Sequence, residues 1–231
     1  MKTIVLVLIA FCIIAAPTHS LTEEFTVDSS KSLLSVLVQK AGVASYLAHN
    51  HLVYAYKFDT TLNYDHRDQN QTTFSTKIKT NNLYADYQPL SEKWYPTFKK
   101  LGILSEKFTK LSDSDRKKVR INMQSSSQLD SKNHSHISAK VVEIKNKETK
   151  IGEVTFTKMV KLSLTIKGKT ITKEIPGNMI LKDNVLSVKV LGKYKFSEFG
   201  ITPYSALLGA IRNKDDFHLY VSLHAKGNSK K

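Results

Sequence analysis

Nearly every informative segment of this chain alternates apolar and polar residues at period two. Val160, Leu162, Leu164 and Ile166 are interleaved with Lys161, Ser163, Thr165 and Lys167. Leu186, Val188, Val190, Tyr194 and Phe196 are interleaved with Ser187, Lys189, Lys193, Lys195 and Ser197. Phe217, Leu219, Val221 and Leu223 do the same with His218, Tyr220, Ser222 and His224. Successive side chains of a strand point to opposite faces, so this pattern predicts strands with one apolar and one polar side. With Leu33 to Lys40, His51 to Tyr64, Phe74 to Ile78, Ile137 to Val141 and the return strand Ile171 to Ile175, about eight strands are expected. The short turns Gly168-Lys169 and Lys182-Asp183-Asn184 imply antiparallel neighbours.

A sheet of that size must cover its apolar face, either as a sandwich or by closing on itself. Long strands favour closure, and closure removes exposed edges. His51 to Tyr64 and Ile151 to Lys167 are such strands. The expected fold is all-β, an antiparallel barrel of about eight strands in a single domain over residues 21–231. Two segments depart from the alternation. Residues 88–124 read as one or two helices, the second capped by Ser112 or Asp113. Pro203 to Ile211 reads as a short helix before the last strand.

Residues 1–20 combine charged Lys2, an apolar run from Ile4 to Ala16, and small Thr18 and Ser20 before Leu21. That is the layout of a secretory signal peptide cut near Ser20. Cys12, the one cysteine, lies within it. The mature chain is therefore expected in the periplasm or outside the cell, without disulfides, held by its core alone. A formal charge of +15 in a secreted protein points to an anionic membrane or polymer rather than nucleic acid. The scattered lysines, such as Lys189, Lys193 and Lys195, also serve to solvate strand faces.

Little in the chain suggests catalysis. It has no thiol nucleophile in the mature part, no Gly-x-Ser-x-Gly, no His-Glu-x-x-His and no phosphate-cradling glycine loop. Two His-x-His pairs, His49/His51 and His134/His136, have the spacing to chelate a metal if a third ligand is supplied. The register puts His51 on the polar face with Lys57 and Asp59, so a metal or haem site at His49 and His51 is kept as an alternative. The other conspicuous group is the stripe Tyr54, Tyr56, Phe58 and Tyr64. An eight-stranded barrel is just wide enough either to fill itself or to hold one slim ligand, and tyrosine suits the wall of a cavity for an amphiphile.

The stretch LSLTIKGKTITKEIPGNMIL, followed by LSVKVLGKYKFSEFGITPYSALLGAIRNKDDFHLYVSLHA, resembles the C-terminal half of the YceI-like family. SLLSVLVQKAGVASYLAHNHLVYAYKFDTTLNYD resembles its N-terminal half, in a version with a His-x-His turn, and the likeness covers roughly residues 26 to 226. The resemblance implies a lipocalin-like extended barrel holding a polyisoprenoid or another amphiphilic lipid, without resident cofactor or enzymatic activity. On it, the expected ligand contacts are inward-facing Tyr54, Tyr56, Phe58, Leu62, Leu164, Ile166, Val188, Val190, Tyr194, Phe196, Leu219 and Val221. The expected state is a monomer or homodimer whose partners are a hydrophobic lipid and, transiently, a membrane surface. A basic surface-interaction protein is the remaining alternative. The helical insertion is long enough to cap the cavity mouth.

Overall fold

A computed structural model describes residues 21–228; the leader expected over residues 1–20 lies outside them. The elements are β1 (Thr22–Val27), β2 (Leu33–Ala41), β3 (His51–Ala55), β4 (Asp59–Asp65), β5 (Thr73–Lys79), β6 (Leu83–Ala85), α1 (Gln88–Lys100), α2 (Asp113–Gln124), β7 (His136–Ile151), β8 (Val154–Ile166), β9 (Lys169–Lys182), β10 (Val185–Lys195), β11 (Ser205–Ala206) and β12 (Ile211–Gly227). All pairings are antiparallel, and the ring β1-β4-β5-β7-β8-β9-β10-β12 closes through pairing of β12 with β1. The result is an eight-stranded barrel. Next to β1, strand β12 also pairs with β2, which continues through β3 to β6. Thus β1/β2, β3/β4 and β5/β6 are three strand lines, each broken once along its length.

The breaks lie side by side. Asp28 accepts from the Ser30 N–H and hydroxyl and from the Lys31 N–H, turning the chain after β1. A single 3-10 turn, Thr80–Asn82, separates β5 from β6, and the Tyr56 N–H donates to Asn82 O at 2.9 Å across the gap. The alternation changes phase at every break. Odd Val27 but even Leu34, Val36 and Val38 pack inward, as do odd Val53 and Ala55 but even Leu62, and even Thr76 and Ile78 but odd Leu83. The single strand expected over His51 to Tyr64 is therefore two strands of opposite phase.

The outer face of β2, β3, β10 and β12 is apolar as well. Leu33, Leu37, Leu52, Leu191 and Tyr220 form a second core with Phe98, Leu101, Ile103 and Leu104 of α1 and the segment after it. The Phe98 ring meets Tyr220 edge-on, with centroids 5.4 Å apart. Helix α1 ends at Gly102 (φ 67°), where the Ile103 N–H folds back onto Phe98 O at 3.1 Å, a glycine C-terminal cap. The β7–β8 turn docks here: the Glu153 N–H donates to Lys100 O at 2.8 Å, and a Cβ on Gly152 would lie 2.2 Å from that same oxygen.

Ser112 caps α2 as expected, its hydroxyl accepting from the Asp115 N–H at 3.1 Å. The short helix expected between Pro203 and Ile211 is instead β11 followed by one 3-10 turn, Leu207–Gly209. Leu207 (φ 49°) and Leu208 (φ 53°) are both left-handed, which a right-handed helix excludes.

Candidate lipid-binding cavity

The barrel is hollow. It encloses a cavity of about 530 Å³, within the roughly 300–1,000 Å³ range of small-molecule pockets. Its middle is walled by aliphatic side chains: Val160, Leu162, Leu164 and Ile166 of β8, Val188 and Val190 of β10, and Leu219 and Val221 of β12. Each of these runs comes from one phase of an alternating strand, so the wall is a direct product of the period-two pattern. Gly177 lets Val160 and Val190 approach β9 closely: a Cβ there would come within 2.9 Å of Val190 Cγ1 and 3.1 Å of Val160 Cγ2.

Helix α2 lies across one end, contributing Val119, Asn122 and Met123 to the wall, with Leu111 from the segment before it. It is fastened by Arg120, which donates to Asn81 O at 2.6 Å and sits 4.0 Å from the Tyr84 ring centroid. That end also holds the polar groups His49, His51, Asp115 and Lys118. The opposite end is packed by Phe25, Leu62, Tyr64, Met179 and Leu186, and Lys158 lines the cavity together with Leu62 and Met179.

Of the positions expected to face inward, Leu62, Leu164, Ile166, Val188, Val190, Phe196, Leu219 and Val221 stand on the cavity wall. The aromatic stripe behaves differently. Tyr56 falls in the bend and is 63% exposed, so it does not face inward. Tyr54 points to the outer face, stacks on Tyr84 at 6.2 Å, and only borders the cavity. Phe58 packs at the edge of the core without reaching the wall. Tyr194 faces in but is consumed by packing, stacked on Phe217 at 5.9 Å and against Phe199. Burial pushes its phenol up to about 12. The phase change puts Val53 and Ala55 on the wall in their place. The signal that could have revealed this is polar Asn81-Asn82, which breaks the partner strand at the same height.

His51 is likewise on the cavity side, a correction to the polar-face expectation. Its Nδ1 lies 2.7 Å from Oδ2 of Asp86, a buried carboxylate that also accepts from the Leu52 N–H at 2.9 Å. Asp86 itself is left-handed (φ 58°), which aims its side chain back across β3. His49 borders the same end of the cavity. Among the described residues no group of three or more His, Cys, Asp or Glu side chains is placed to hold a metal.

No protein-family model and no curated protein sequence matches the chain. Solved structures do. Burkholderia cenocepacia BcnA superposes with a TM-score of 0.58 at 16% identity, over 87% of this chain and 99% of BcnA. A Campylobacter jejuni YceI protein superposes with a TM-score of 0.50 at 11% identity, over 77% of this chain and 85% of that one. The fold is YceI-like. In this YceI-like barrel the helical insertion does two separate things. Its first helix builds a core on the outside wall, and its second covers the end of the cavity.

Proposed function

We propose that this YceI-like chain is a non-enzymatic carrier, secreted or periplasmic, that holds one long-chain lipid such as a polyisoprenoid in its barrel. The observation that carries the reading is the cavity itself: long, lined by aliphatic side chains, and enclosed by strands on every side. A tail lying against Leu62, Leu164, Ile166, Val188, Val190, Leu219 and Val221 removes apolar surface from water at both partners. Burying roughly 400 Å² is worth on the order of 10 kcal/mol before ordering costs.

Loading and unloading need a place to meet a membrane, and the exposed loops beside the cavity support one. Val43, Tyr46 and Leu47 after β2, and Leu207 and Leu208 before β12, are large apolar side chains left in solvent, with Leu208 fully exposed. The two loops are tied together, the Ala44 N–H donating to Ala210 O at 2.9 Å. Nearby Tyr204 and Asn213 belong to the cavity wall. An adjoining cleft carries Lys195, Arg212 and Lys214 beside Asp215 and Asp216. The apolar tips are what fit a bilayer surface, and the small excess of basic side chains favours an anionic one.

The test is organic extraction of the purified protein followed by mass spectrometry, with reloading of the extracted protein by a prenyl chain. One bound lipid per chain, or its uptake, is the expected result. A protein that neither carries nor takes up any long-chain amphiphile refutes the reading.

A further inference from the structure

The inward column of β8 has one residue out of character. It runs Lys158, Val160, Leu162, Leu164, Ile166, all on the cavity wall. Lys158 lies eight residues before Ile166, roughly 26 Å along the strand, so it is at the end of the cavity away from α2. It is 8% exposed. Its Nζ donates to Asn146 Oδ1 at 2.6 Å and to Asn70 Oδ1 at 3.3 Å. No carboxylate of the described residues is in ion-pair distance.

Two neutral amides occupy two of the three ammonium donors and leave the charge itself uncompensated. A lysine this buried is ordinarily paired, because an isolated ammonium in apolar surroundings is costly. Contrast Lys118 at the α2 end, which is exposed and held by Asp115 at 3.0 Å. Asn70 reaches Lys158 from the β4–β5 connection, so two separate segments hold the ammonium against the cavity. The same side chains offer amide N–H donors beside it.

We propose that Lys158 is the seat for an anionic head group, a carboxylate or phosphate monoester, of a single-chain lipid that enters head first. The lipid's tail then runs back along the aliphatic column toward α2. The head supplies the missing counter-charge through a charge-assisted hydrogen bond at a site shielded from water. This rests on the carrier reading above and names the class of lipid.

The experiment is competition against a fluorescent fatty-chain probe on delipidated protein, with palmitate, hexadecyl phosphate and neutral hexadecanol as competitors. Wild type is expected to bind at least one anionic competitor roughly ten- to a hundredfold more tightly than the alcohol, the range for a hydrogen bond to a charged group. Whichever is preferred separates the carboxylate from the phosphate. Lys158→Met should bring the anions down to the level of hexadecanol while hexadecanol binding persists, and Lys158→Arg should keep the preference. Equal wild-type binding of anions and alcohol overturns the proposal and leaves the carrier reading standing. So does a preference that survives in Lys158→Met, or one lost in Lys118→Met instead, which would put the head at the mouth. Binding of none of the three overturns the proposal, while the carrier reading is decided by the extraction and prenyl reloading above. Should Lys158→Met fail to fold, the wild-type comparison and the Lys118→Met variant still decide.

Discussion

Residue 53 and residue 56 are three apart on the same strand line, and the structure gives them opposite fates. Val53 faces the cavity, opposite Val36 on β2 and Ala85 on β6, whereas Tyr56 is in solvent. Consider Val53→Asp and Tyr56→Asp, each tested with a lipid supplied at a hundred times its wild-type Kd. Ligand that binds only the folded state then stabilises wild type by about 2.7 kcal/mol. For a domain of this size that is a rise in Tm of about 5–11 °C. In Val53→Asp the carboxylate stands between Val36 and Ala85 on a mostly aliphatic wall, and lipid entry strips its water. Desolvating an unpaired polar group costs about 1–3 kcal/mol, and more for a charge. A loss near the upper figure reduces affinity about a hundredfold, leaving roughly 0.4 kcal/mol of ligand stabilisation, about 1 °C. Tyr56→Asp is a surface change, expected to alter stability within about 0.5 kcal/mol, and the full ligand-dependent rise should remain. Differential scanning fluorimetry with and without lipid reads both, and far-ultraviolet circular dichroism checks that Val53→Asp is folded. A rise that survives in Val53→Asp, or disappears in Tyr56→Asp, refutes the assignment of the wall.

Three further outcomes are expected. Phe98→Ala should cost about 3–5 kcal/mol in urea unfolding, because that fully buried ring anchors α1 to the outer core; a loss under about 1 kcal/mol would mean that this core is not structural. Leu208→Gly should raise Tm slightly, since glycine accepts its φ of 53° without strain, yet weaken binding to anionic vesicles; unchanged vesicle binding would count against the loops as a docking surface. Burial, reinforced by Lys193, lowers the pKa of His218 below 6.5. Below that pH the unfolded chain takes up a proton that the folded one resists, so stability falls as pH drops through the unfolded value toward the folded one. His218→Leu should therefore flatten the decline in Tm between about pH 7 and 5, and identical pH profiles for the two proteins would contradict this.

Most strands of the barrel, and the antiparallel hairpins joined by short turns, were legible because alternation and short turns are local signals; β1, β6 and the β1–β12 pairing that closes the ring were not. Val160 to Ile166 and Leu186 to Val190 alternate within unbroken strands, and there the phase read from the sequence is the phase of the folded barrel. The helical insertion and its Ser112 cap were legible for the same reason, since a cap is formed by residues within one turn of each other. What the sequence left open is which side of a broken strand faces in. Alternation assigns relative facing only within an unbroken run, and a bend of a few residues resets it. The bend at residues 56 to 58 exists because Thr80–Asn82 interrupts the partner strand at the same height, a contact between distant parts of the chain. The same limit hid the outer core. Leu33, Leu37 and Leu52 alternate with apolar neighbours on the other face, and only the docking of α1 supplies the partner that buries them. Lys158 shares the phase of Val160 and Leu162, and only closure of the barrel turned that column, lysine included, toward the cavity. Sequence determined that this chain would form a barrel; tertiary pairing decided what its cavity contains, because inside and outside are defined only once distant strands meet.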